Sequence, residues 1–221
     1  MTDSQTPSLK VKCIELCKDV ALIPSHLDKN GIEWNEIDKV NWPEAFPYKP
    51  RVQFRIAHSG DSIMLEYRCA EQWVRALAED NGRIWEDSCV EFFVSLDGSI
   101  YYNVEFNCAG RMLMGGGSER KGRQRATPDV LSHIRRSSGF NDVFDNAPAP
   151  DVWKLAVIIP VKAFFLNTLS DVSGLKVCGN FYKCGDMTPI RHYLSWSPVD
   201  TPAPNFHTPA FFGEIEFLHG D

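Results

Sequence analysis

The sequence predicts an all-β protein: an antiparallel β-sandwich of jelly-roll or immunoglobulin-like type, with one or two short helices. Apolar and polar residues alternate with period two through many short segments, as half-buried strands require. Turns containing Gly or Pro separate these segments at close spacing, the pattern of sandwiches and barrels. Only "CAEQWVRALAED" (Cys69 to Asp80) and "PVKAFFLNTL" (Pro160 to Leu169) have the spacing of short helices.

Taken in order, "LKVKCIEL" (Leu9 to Leu16) alternates and reads as an edge strand. "RVQFRIA" (Arg51 to Ala57) and "SIMLEYRC" (Ser62 to Cys69) flank "HSGD", whose Gly and Asp mark a hairpin turn. "CVEFFVS" and "YYNVEFNC" are separated by the turn "LDGS", and "VLSHIRRS", "VWKLAVIIP", "LKVCGNFYKC", "HYLSW" and "FFGEIEFL" supply the later strands. The 221 residues are expected to form one unit, irregular over 1–50 and a sandwich core over 51–221. The stretch "SPVDTPAPNFHTPAFFG" (Ser197 to Gly213) is proline-rich and lacks a strand pattern. Loops of that length in a compact domain are commonly functional, and this one carries Phe206 and His207.

Composition narrows the function. The chain is 43% hydrophobic and 24% charged, ordinary for a globular protein, with formal charge -6. An acidic balance disfavours nucleic acid, which needs a concentrated basic face. The one basic cluster, "SERKGRQR" (Ser118 to Arg125), reads as a solvated loop. No run of about 18 apolar residues exists to span a membrane. The amino terminus lacks a secretory pattern, so a cytoplasmic location is expected, or a periplasmic or extracellular one if a signal has been removed. Seven scattered cysteines without a C-x-x-C pair fit buried thiols rather than a disulfide framework or a structural zinc site. Oligomeric state stays open.

The segment "IWEDSCVEFFVSLDG" (Ile84 to Gly98) raises the functional question. Val90, Phe92, Val94 and Leu96 share one face of a strand; Glu91 and Ser95 share the other, and counting back by twos reaches Trp85. In "YYNVEFNC", Tyr102, Val104, Phe106 and Cys108 read inward while Tyr101, Asn103, Glu105 and Asn107 read outward. Paired as a hairpin, the two strands place Glu91, Asn103 and Glu105 on one face with an indole at its edge. Sugars are bound by such surfaces, because hydroxyls take planar polar side chains and the C–H face of a pyranose stacks on an aromatic ring. The same alternation also fits a solvated outer face, since half of an antiparallel sheet is commonly wet. Asp87 and Asp97 flank the motif and offer oxygens for a structural calcium ion, although no EF-hand-like spacing is present.

The residues "WEDSCVEFFVS", "YYNVEFN", "GNFYKCGD" and "LSWSP…FHTPAFFGEIEF" resemble, in order and approximate spacing, the family 9 carbohydrate-binding modules, from about Val52 to Phe217. The resemblance implies a β-sandwich similar to the haem- and sugar-binding DOMON domains, with a sugar clamped between two aromatic rings. It makes Trp85 the first wall and Phe206 the second, Glu91 the acid that accepts hydroxyl hydrogen bonds, and Tyr182 a ligand-facing residue. Phe206 stands where Trp is usual, and Glu105 where better-known members carry Arg. The function expected is non-catalytic carbohydrate binding tied to polysaccharide catabolism, through Trp85, Glu91, Asn103, Glu105, Tyr182 and Phe206, with a saccharide as partner and no cofactor beyond the calcium considered above. Two alternatives stay open: a glycoside-active protein using Glu91 with Glu105 or Asp87, and a haem-binding domain using Met112 or Met114 with His133 or His192.

Overall fold

A computed structural model describes residues 6–140 and 143–220. The elements run β1 (Ser8–Cys13), α1 (Ile23–Lys29), β2 (Asn35–Glu36), β3 (Lys39–Val40), β4 (Arg51–His58), β5 (Ser62–Ala70), β6 (Trp73–Ala76), β7 (Cys89–Ser95) and β8 (Tyr101–Asn107). They continue with β9 (Met112–Gly117), β10 (Gln124–Arg125), α2 (Pro128–Ser132), β11 (Arg135–Ser138), β12 (Phe144–Pro148), β13 (Trp153–Pro160), β14 (Lys176–Cys184), β15 (Tyr193–Ser195) and β16 (Gly213–Phe217).

Two layers form the sandwich. One has the order β10-β9-β8-β7-β14-β16-β1, and the other β1-β4-β5-β13-β11. Strand β1 belongs to both: Ser8 to Val11 pair in parallel with β16, while Lys12 and Cys13 pair in parallel with β4. It is therefore internal rather than an edge. The β4–β5 hairpin turns at Gly60, whose φ of 82° is a conformation that glycine adopts without steric cost.

The alternation in the sequence places the core. Val90, Phe92 and Val94 of β7 and Tyr102, Val104 and Phe106 of β8 enter one apolar cluster with Phe54, Leu65, Tyr67 and Val157 from the facing layer. Its centre is a three-ring stack. Phe181 of β14 lies 3.6 Å from Phe54 across the layers and 4.8 Å from Phe92 beside it, ring centroid to ring centroid. At one end of the core a charged group is buried with its partners. Lys183 donates to His192 (2.8 Å) and pairs with Glu71 (3.0 Å), which also accepts from the Trp153 indole (2.7 Å). Burial works against the Lys183 charge, but the Glu71 carboxylate outweighs it and holds the ammonium above its ordinary range. Helix α1 covers the outer face of the second layer, packing Ile23 and Leu27 against Ala57, Met64 and Ile158.

Several local expectations give way to tertiary pairing. The segment 69–80 is not helical: its middle is β6, paired with β12, with which it forms a separate two-stranded sheet. Segment 160–169 contains a single 3-10 turn at Val161–Ala163. The run 130–137 is divided, with α2 capped by the Thr127 side chain and β11 beginning at Arg135. The short helix α1 starts with Pro24 in its first turn, a signal of helix entry that the irregular reading of 1–50 overlooked. Among the described residues, no helix is long and apolar enough to cross a membrane.

Replacing Phe181 with Ala removes the middle ring of the stack and should lower unfolding stability by about 3–5 kcal/mol. Urea denaturation followed by circular dichroism would show the midpoint falling with the slope unchanged.

Candidate functional site

The outer face of the first layer is not solvated. Every residue of β7 and β8 is buried, because the proline-rich segment 197–212 and the turn around Trp42 lie over it. These cover a second apolar cluster that includes Cys89, Phe93, Tyr101, Tyr182, Cys184 and Phe206. A cleft of about 450 Å³ remains between the cover and the sheet, and Glu91, Phe93, Asn103, Glu105 and Cys184 line its floor.

Strand register assembles the floor. Glu91 lies opposite Glu105 on β8 and opposite Tyr182 on β14, and Cys89 lies opposite Cys184. Glu91 Oε1 accepts a contact from the Cys184 thiol at 3.1 Å. Asn103 Nδ2 donates to Glu105 Oε1 (2.8 Å), while Asn103 Oδ1 accepts from Arg123 Nε (2.9 Å). Arg123 thus fixes the amide that fixes the carboxyl. Gly115 makes room for this relay, since a Cβ there would stand 2.9 Å from Asn103 Oδ1. Glu105 Oε2 is buried and has no hydrogen-bond partner among the described residues.

Two desolvated carboxyls side by side cannot both ionise freely. Burial, reinforced by the Glu105 charge, pushes Glu91 well above the usual carboxylate range. Burial also raises Glu105 to about 7, against the opposing pull of the Asn103 hydrogen bond and of Arg125 and Arg123. Below about 7 the floor therefore holds a carboxylic acid at Glu105, a group able to donate a hydrogen bond as well as accept them.

The walls are aromatic. Trp85 is half-buried and sits in a 3-10 turn at Ile84–Glu86, not on the stride of the strand. The turn still delivers it to the cleft, because the segment just beyond β14 holds it there. The Asp186 N–H donates to the Trp85 carbonyl (3.1 Å), and the Met187 N–H donates to the Glu86 carbonyl (3.0 Å). Phe206, which also lines the cleft, stacks on Tyr182 with centroids 4.1 Å apart and planes at 11°, and Trp42 lies 6.1 Å from it. Tyr182 is fully buried beneath Phe206 and does not line the cleft; its hydroxyl donates to the Phe206 carbonyl (3.3 Å). Beside Phe206, the His207 ring packs against Phe93 and meets the Tyr101 hydroxyl at 3.1 Å through Nδ1. Burial, aided by Arg123 and Arg120, lowers His207 to about 3, so the ring is neutral.

The basic cluster read as a solvated loop instead supplies Arg120, Arg123 and Arg125 to the cleft lining, and Asp186 faces the same space. Arg123 is committed to structure: its guanidinium lies 4.1 Å over the Tyr101 ring and donates to the carbonyls of Tyr101 (2.7 Å) and Gly115 (3.0 Å). The cover is pinned from the amino-terminal side. Asn41 Oδ1 accepts from Val199 N (3.0 Å), and the Trp42 indole donates to the Thr201 carbonyl (2.5 Å). Neither the arginines, His207 nor this anchor was identified from the sequence as part of a site.

Other candidates have local partners. Asp87 is buried and accepts from Arg75, the N–H groups of Leu77 and Ala78, and Asn107. Asp97 accepts from Ser99, Ile100 and Asn167; burial is slight, and these hydrogen bonds hold its carboxyl at about 2. Met112 and Met114 lie in the core, His133 closes α2, and His192 is bound to Lys183.

A β-sandwich with an enclosed polar floor under aromatic walls defines a small-ligand-binding module. The sequence matches the model of carbohydrate-binding family 9 over residues 21–217. A provisionally assigned carbohydrate-binding protein from Bacteroides uniformis is similar, with 46% identity, a TM-score of 0.92, and coverage of 96% of this chain and 100% of that one. Two structures of a family 9 module from Caldicellulosiruptor kristjanssonii share the fold. The cellotriose complex has 12% identity, a TM-score of 0.65 and coverage of 97% and 95%; the glucose complex has 13%, 0.60 and 97% of each chain. No curated protein matches the sequence. The chain belongs to carbohydrate-binding family 9, and its function is non-catalytic carbohydrate binding; the hydrolytic and haem-binding alternatives gain no support.

The Glu105 carboxyl keeps its proton in the folded chain up to about 7, whereas its ordinary value is 4.5. Between these values the folded state binds the extra proton, so stability should fall as pH rises through that window. Glu105→Gln should flatten this slope, as urea midpoints measured at several pH values would show.

Proposed function

We propose that this cleft is the saccharide site, with Trp85 stacking on a sugar ring and Glu91, Asn103 and Glu105 exchanging hydrogen bonds with its hydroxyls. The observation that carries the reading is the combination of a half-buried indole with a buried carboxyl whose Oε2 has no partner among the described residues. A buried polar atom of this kind costs stability unless a ligand or water satisfies it. The volume falls in the range of small-molecule sites.

Phe206 contributes as the support of a second wall. With one face on Tyr182 and only 9% of its surface exposed, it offers an edge rather than an open platform. The neighbouring His207 presents a flat neutral ring to the same space. Glu91 and Glu105 sit beside one another on the floor, with Glu105 held by Asn103 and, through it, by Arg123. Their role here is recognition. Glucose and cello-oligosaccharides, the ligands of the Caldicellulosiruptor module, are the first sugars to test.

Isothermal titration calorimetry against neutral and acidic saccharides should give a ligand whose affinity falls at least about tenfold in Trp85→Ala, a loss of about 1.4 kcal/mol or more. The fold should survive the change, because Trp85 packs at the edge of its cluster and is only half-buried, so circular dichroism should be unaltered while binding is lost. Absence of binding across the panel by the unmodified protein would refute the assignment.

A further inference from the structure

We propose that the cleft floor also holds a thiophilic divalent cation, zinc by preference, ligated by Cys89, Glu91 and Cys184. The three residues come from register: Cys89 and Cys184 are paired across β7 and β14, and Glu91 follows Cys89 on the same face. Their ligand atoms all lie within 4.8 Å of one another, and all three residues are buried. Among the described residues no other three His, Cys, Asp or Glu side chains form such a group.

The spacing is near that of a tetrahedral ion, one contact being a thiol–carboxyl hydrogen bond that the ion would replace. With zinc–sulfur bonds of about 2.3 Å and zinc–oxygen bonds of about 2.1 Å, ligand atoms stand roughly 3.5–3.8 Å apart. Here Glu91 Oε1 lies 3.1 Å from the Cys184 sulfur and 3.8 Å from the Cys89 sulfur.

Glu105, opposite Glu91, also lines the cleft; it is 4% exposed, and its Oε2 has no partner among the described residues. It stands outside the group whose ligand atoms lie within 4.8 Å of one another, so the fourth position is left to water. Two sulfurs among the donors select zinc over calcium or magnesium, which take oxygen ligands. Its binding would displace protons from both thiols and from the Glu91 carboxyl into solvent, so affinity should rise with pH. The sequence hid the group because its cysteines lie far apart in the chain and lack a zinc-finger spacing.

The test uses the reduced protein in a Cys178→Ser background, which removes an exposed thiol. Cadmium should produce a sulfur-to-metal ultraviolet charge-transfer band that saturates at one equivalent and is bleached by zinc. Cys89→Ser and Cys184→Ser should each lose the band. If either cysteine variant fails to fold by circular dichroism, Glu91→Gln decides: zinc should raise the thermal midpoint of the background protein and do so less in Glu91→Gln. No band at stoichiometric cadmium, a band that survives both cysteine changes, or an equal zinc effect in Glu91→Gln would overturn the proposal. None of these readouts involves a sugar, so the cation site and the saccharide site can fail separately.

Discussion

The pairing of β7 with β14 is the constraint on which both the core and the cleft depend. Its inner face presents Phe92 and Phe181 to the stack that joins the layers. Its outer face presents Glu91, Cys89, Tyr182 and Cys184 to the cleft side. Because the side-chain period of a strand is two, a slip of one residue would exchange these faces, putting a carboxyl in the core and phenyl rings in the cleft. The apolar demand of the core therefore sets the position of the recognition residues. Specificity and stability share one register.

The polar outer face is enclosed, and enclosure changes its chemistry. In water, Glu91 and Glu105 would both be ionised and strongly hydrated at neutral pH. Under the proline-rich cover they keep protons into a higher range, and the floor offers donors and acceptors together. Such a surface suits a ligand rich in hydroxyls, each of which both donates and accepts. Proline restricts the cover before folding and so reduces the entropy lost when it is ordered. Asn41, Trp42 and the Phe206–Tyr182 stack then fix it in place.

Much of this was legible in the sequence. Alternation in "CVEFFVS" and "YYNVEFN" assigned Glu91, Asn103 and Glu105 to one face and the aromatic core to the other, because sheet geometry leaves no third choice. What alternation does not carry is the environment of the second face: it fits a wet surface and a covered one equally. The cover comes from residues remote in the chain, and no local signal links His207 to Tyr101 or Trp42 to Thr201. Trp85 reached the cleft by a different route from the one its spacing suggested, through a 3-10 turn. The arginines were hidden by their setting in a glycine-flanked loop, where charge ordinarily means solvent. Segment 69–80 looked helical because a short amphipathic strand and a helical turn share spacings over a few residues.

Strand β1 lies parallel to β16 and also reaches β4. In a parallel pair, a pull on the leading end of one strand and the trailing end of the other slides them lengthwise, loading the connecting hydrogen bonds together rather than peeling them singly. A pull between the first and last strands would thus meet a shear clamp made from both layers. Tension applied through the two ends of the chain would therefore be borne by the seam of the sandwich before it reached the cleft.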